Sequence, residues 1–138
     1  MWSEQVQKET IADSLFSLLP AESLDLNVLR QFEDVTTGAS DLLVELIDLY
    51  LSDAQERFYF MHSALAAQNY ALLRDHAHCL RGSSGTLGVM QIARVCGAIE
   101  HLPFSQLVIE AAQLLDLLVE EFSKVRLVLV EEQRRLTK

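Results

Sequence analysis

At 138 residues the chain fits one domain, and with half of its residues hydrophobic it can build a core without disulfides or metals. A formal net charge of −9 excludes a nucleic-acid binder, which needs clustered Lys and Arg to meet phosphates. The opening MWSEQVQKET lacks an apolar secretory core, and Asp or Glu interrupts every long apolar stretch, as between Leu114 and Phe122, so a soluble, cytoplasmic chain is expected.

Five Gly and two Pro leave few breaks, and five or six helices account for nearly everything. The first expected helix runs from about Glu4 to Leu18, stops before Pro20, and carries its apolar residues at Val6, Ile11, Leu15, Leu18 and Leu19. A short one covers about Leu26 to Val35 and ends in Thr36-Thr37-Gly38. A third starts with Ser40 as N-cap and continues to about Ala67, with Leu43, Ile47, Tyr50, Ala54, Phe58, Met61 and Leu65 recurring every three or four residues. Asn69 caps a fourth that extends to about Leu87. The next spans about Met90 to Leu102, where Pro103 stops it, and Ser105 is placed to cap a final helix reaching about Leu136. Arg134, Arg135 and Lys138 answer the negative pole of that last helix. No segment alternates with period two. The expected fold is all-α: an antiparallel up-and-down four-helix bundle with additional N-terminal helices, in one domain over residues 1–138. The helix around His78 then neighbours the helix containing Glu100.

The chemistry concentrates between Asn69 and Glu100. On a helical wheel Leu73, Ala77, Leu80, Ser84 and Leu87 fall within roughly 40° of one direction, which marks the core stripe. His78 lies about 140° from Leu73, Gly85 about 120°, Gly82 about 180° and Arg81 about 80°. His78 is therefore an exposed imidazole beside two glycines and within a turn of a guanidinium. Glycine inside a helix costs about 0.5–1 kcal/mol relative to alanine. Gly82 and Gly85 point away from the apolar stripe, so their use is clearance around the ring rather than close helix packing. A neutral imidazole is a nucleophile near neutral pH and also a leaving group, and Arg81 can swing toward a phosphoryl group on it. Ser83, at about 280°, bonds backbone or packs at the flank. His76, at about 300°, borders the core stripe, and it diverges too far from His78 for the two to share a metal. His62 and His101 read as surface or flank residues, and Cys79 and Cys96 as small buried ones rather than a disulfide framework.

The run Ala77-His78-Cys79-Leu80-Arg81-Gly82-Ser83-Ser84, followed by Leu87-Gly88, resembles the signature of histidine-containing phosphotransfer (HPt) domains of multistep two-component phosphorelays, A-H-x-L-K/R-G-S-S-x-x-L-G. Leu43 to Ala54 resembles the family's preceding helix, Ile92 to Glu100 its following one and Leu118 to Leu129 its closing one, so the resemblance covers about residues 24–130 and leaves 1–23 outside. It implies a phosphoprotein that accepts a phosphoryl group on a histidine from a receiver-domain aspartate and passes it to another receiver. It also implies a phosphocarrier without nucleotide binding or kinase activity, and without a cofactor of its own, the Mg²⁺ being held by the receiver. The expected partners are receiver domains of response regulators or hybrid histidine kinases, met by a monomer with no metal site. By resemblance His78 is the phosphoryl acceptor, Arg81 the stabilising cation, and Gly82 and Gly85 the clearance for docking. Relatives often carry Gln where Glu100 stands; here the carboxylate either accepts the Nδ1–H of His78, leaving Nε2 free to attack, or is a solvated surface glutamate.

Two other classes compete. An interaction-only bundle docking a receiver or a histidine kinase has no reason to keep the His78-Arg81-Gly82 unit. A metal-binding bundle needs inward Glu-x-x-His pairs on two helices, and the chain has none. A starting Met1 and a well-formed end at Lys138 favour a free-standing protein over a piece of a hybrid kinase.

Overall fold

The computed structural model describes residues 24–35 and 40–137, with side chains from 24–31 and 41–137. The helix expected before Pro20, the Thr36-Thr37-Gly38 ending and the side chains of Ser40 and Lys138 lie outside the described residues. Five helices follow in order: α1 (Leu26–Val35), α2 (Ser40–Ala66), α3 (Tyr70–Leu87), α4 (Met90–His101) and α5 (Phe104–Leu136). No strand occurs among the described residues.

Helices α2 to α5 form a closed ring in which α2 packs on α3, α3 on α4, α4 on α5 and α5 back on α2. Helices α3, α4 and α5 each reverse on their predecessor because the connections between them are only a few residues long. The core is where the periodicity placed it: Leu43, Ile47, Tyr50, Ala54, Phe58 and Met61 of α2 and Leu73, Ala77, Leu80, Ser84 and Leu87 of α3 are buried. They meet Ile92, Val95, Cys96 and Ile99 of α4 and Leu107, Ala111, Leu114, Leu118, Val125 and Leu129 of α5. Two polar groups inside this core satisfy one another: the Tyr50 hydroxyl lies 2.7 Å from Ser84 Oγ and joins α2 to α3. Burial pushes the Tyr50 phenol up. Among the described residues no helix is long and apolar enough to cross a membrane.

The helix ends show why the chain turns where it does. Asn69 caps α3 as expected, its side chain accepting from the Leu72 N–H at 3.1 Å. Gly88 closes α3 with φ +83°; its N–H donates to Gly85 O and the Val89 N–H to Ser84 O, which ties off the final carbonyls. A Cβ at Gly88 would come within 2.8 Å of Asp25 O and 2.9 Å of Val28 Cβ, so this residue must be glycine for space as well as for φ. The approach is close because α1 is docked there: Asp25 donates its N–H to Gly88 O at 2.9 Å, and its carboxylate accepts from the Asn27 N–H. The expected Ser105 cap is corrected. Helix α5 begins two residues earlier, at Phe104 with Pro103 as N-cap, and Pro103 O accepts from Gln106 and Leu107. Proline holds Leu102 extended and already has the φ a helix start needs, so no side-chain cap is required.

Candidate functional site

Helix α3 turns one face into the core and the other outward, and His78 stands on the outward face with 63% of its side chain exposed. Packing of α4 against α3 brings Glu100 beside it, with Oε2 at 2.5 Å from His78 Nδ1. The other carboxylate oxygen, Oε1, lies 2.9 Å from Arg81 Nε and 3.7 Å from Nε2 of the exposed His101. Three of the residues singled out in the sequence thus meet at one carboxylate. Arg81 is not free beside the ring; in this state it is the counter-ion of Glu100.

Charge decides which atom holds the ring proton. Burial pushes the Glu100 carboxyl up, but the His78 contact and the charges of Arg81, His78 and His101 more than offset it and leave the group below its usual range. An ionised carboxylate only accepts, so Nδ1 must carry the proton. In the neutral ring Nε2 then holds the lone pair, and no hydrogen bond to it is found among the described residues. Such a ring can attack an electrophile without first losing a proton.

Space around the ring is real. A Cβ built at Gly82 or Gly85 would meet nothing within 4 Å, so neither glycine is needed for helix packing. Gly97 on α4 passes the Arg81 stem, where a Cβ would sit 3.7 Å from Cδ.

One positioning residue was not legible in the sequence. Arg74, one turn before His78, donates to Glu100 O and to Leu102 O, both at 2.7 Å. Its guanidinium takes the last carbonyls of α4 and so fixes the backbone of Glu100 relative to α3. A basic residue at i−4 from the histidine was visible, but its partner lies across the bundle and no local pattern names it.

The remaining candidates fall elsewhere. Ser83 bonds back to Leu80 O at 3.2 Å. His76 is half-buried, stacked on Phe60 with ring centroids 5.7 Å apart and planes at 9°, and its Nδ1 faces Arg57 Nη1 at 3.2 Å. His62 holds Phe58 O through Nδ1. Cys96 is buried, but Cys79 is exposed, which corrects the expectation that both are buried. Cys79 sits on the outer side of α3, away from the stripe of Leu73, Ala77 and Leu80. Among the described residues no group of three His, Cys, Asp or Glu side chains is placed to hold a metal ion.

Comparison with known proteins gives three findings. Residues 45–127, which contain His78, Arg81, Gly82, Gly85 and Glu100, match the family model of the Hpt domain. The chain is 32% identical over 87 residues to the phosphorelay intermediate protein YPD1 of Saccharomyces cerevisiae, a match covering 62% of this chain and 52% of that protein. It therefore spans about half the length of this curated relative. The crystal structure of histidine-containing phosphotransfer protein B (HptB) from Pseudomonas aeruginosa is similar to it with a TM-score of 0.76 and 29% identity, over 84% of this chain and 98% of that one.

Proposed function

This chain belongs to the Hpt domain family, and from that premise we propose that it is a phosphorelay intermediary, taking a phosphoryl group on Nε2 of His78 from one receiver-domain aspartate and giving it to another. The observation that carries this reading is the pairing of an exposed imidazole with an ionised carboxylate on Nδ1, which turns Nε2, the nucleophile of the neutral ring, toward solvent.

The chain's own groups do little chemistry beyond this. Glu100 fixes the ring and its tautomer, and Arg74 fixes Glu100. Arrival of a phosphoryl group puts close to two negative charges beside Arg81, which can then leave Glu100 for the phosphoryl oxygens. Gly82 and Gly85 leave room for a receiver's active site to close over the ring. The receiver supplies the Mg²⁺ and the aspartate. The protein is a phosphocarrier, not a kinase, and its partners are receiver domains.

The test is transfer in two steps. Phosphorylated receiver domains should load His78 with an acid-labile, alkali-stable phosphate, and a second receiver should discharge it. A chain that binds receivers yet never acquires phosphate would instead be a docking module, and the proposal would fail.

A further inference from the structure

A ring nitrogen that releases a phosphoryl group takes back the electron pair of the P–N bond. With a proton on the other nitrogen, the leaving group is neutral imidazole. Without one it is imidazolate, a far stronger base and a poorer leaving group. The proton on Nδ1 of the phosphorylated ring therefore governs release. In this chain the atom facing Nδ1 is a carboxylate oxygen at 2.5 Å. A carboxylate stabilises a ring that is both protonated and positively charged, whereas an amide oxygen offers only a dipole. The charged groups facing this carboxylate come from the two helices that meet here: Arg81 and His78 from α3 and His101 from α4. Arg74 reaches only the Glu100 backbone. Glu100 is 17% exposed, so solvent screens its pull only in part.

We propose, resting on the carrier reading above, that Glu100 is a positioning residue that keeps Nδ1 of phosphorylated His78 protonated and so holds the phosphohistidine in its transferable form into the alkaline range. In the transfer step the P–Nε2 bond breaks and its electrons return to Nε2, while a carboxylate oxygen of the receiver's aspartate forms the new P–O bond. The ring departs neutral, with the Nδ1 proton still facing Glu100. Total charge is the same before and after, and no proton is released or taken up. Loading from a receiver runs through the same states in reverse. An amide at this position would leave the proton to solvent pH, so the carboxylate favours prompt release over long storage.

The full chain and its Glu100→Gln and Glu100→Ala variants can be loaded with phosphoramidate, a small donor that needs no receiver. Loss of the phosphohistidine is then followed by ³¹P NMR across neutral and alkaline pH. The native chain should keep its fast loss to higher pH than either variant. At mildly alkaline pH the variants' phosphohistidine should survive on the order of tenfold longer, as expected for loss of one adjacent opposite charge. Glu100→Gln keeps the side chain's size, so it serves where Ala disturbs the packing of α4. Superimposable pH–rate profiles in the three proteins would overturn this role and leave the carrier reading standing. Failure of His78 to load in the native chain would overturn both.

Discussion

Two imidazoles stand two residues apart on α3, and opposite charges face their Nδ1 atoms. At His76 the neighbour is the Arg57 guanidinium, itself held by Asp53 at 2.8 Å. A guanidinium only donates, so Nδ1 of His76 accepts, and its ring proton sits on Nε2. Burial, then the charge of Arg57, holds that imidazole below its ordinary range against the opposing pull of Asp75 and Asp53, and Phe60 covers one ring face. At His78 the neighbour is a carboxylate, the proton sits on Nδ1, and the open side of the ring carries the lone pair. The sign of the charge behind the ring selects the tautomer, and the tautomer selects the nucleophile.

Removing each ring in turn is the strongest attack on this contrast. His78→Gln should abolish loading by a phosphorylated receiver, while His76→Gln should leave the acid-labile phosphate in place. Stability of the His78 variant should stay within about 0.5 kcal/mol of native, as for other exposed positions. Phosphate found on His76 would end the argument.

Next in size is the open side of the ring. Gly82→Leu should slow transfer from a receiver by on the order of tenfold or more by obstructing docking, yet spare loading by phosphoramidate. It should also stabilise the helix by roughly 0.5–1 kcal/mol. Gly88→Ala should do the reverse, losing about 1–3 kcal/mol in urea unfolding, because φ +83° and the Asp25 carbonyl both exclude a Cβ. Equal stability effects at the two glycines would erase the distinction between clearance and backbone need.

Charge reversal at the other ring sharpens the point. Arg57→Glu should move the His76 proton to Nδ1, visible in the ring ¹⁵N shifts, without making His76 a phosphate acceptor, because Phe60 still covers it. An unchanged tautomer there would break the link between partner charge and proton position.

The smallest effect is a titration. The Glu100 carboxyl is held low, so its contribution to stability is present above its unfolded value and is lost as pH falls through the folded one. Its carboxyl ¹³C shift should therefore change below the usual carboxylate range. A midpoint at the ordinary value would show that the His78 and Arg81 contacts do not persist in solution.

Much of this was legible in one dimension. The period of 3.6 placed Leu73, Ala77, Leu80, Ser84 and Leu87 inside and His78 outside, because burial on a helix follows angle. Asn69 was legible as a cap because a cap acts within its own turn. The pairing of Glu100 with His78, 22 residues apart, came through family resemblance, and no spacing rule reaches that far. The Arg81–Glu100 ion pair, the Tyr50–Ser84 bond and the Arg74 clamp depend on how helices lie against each other, which local periodicity does not encode. Ser105 has the residue type of a cap, but Pro103 sets the backbone at this helix start, and residue type alone does not show that.

The two thiols differ as sharply as the two imidazoles. Burial, reinforced by the charge of Glu100 and only partly countered by Arg81, pushes the Cys96 thiol up and keeps it unreactive, while Cys79 is open to solvent next to His78. The chain thus carries a built-in footprinting probe. A maleimide will mark one position, and a partner that covers the face shared by Cys79 and His78 will shield it, so docking there can be timed by alkylation without any engineered label.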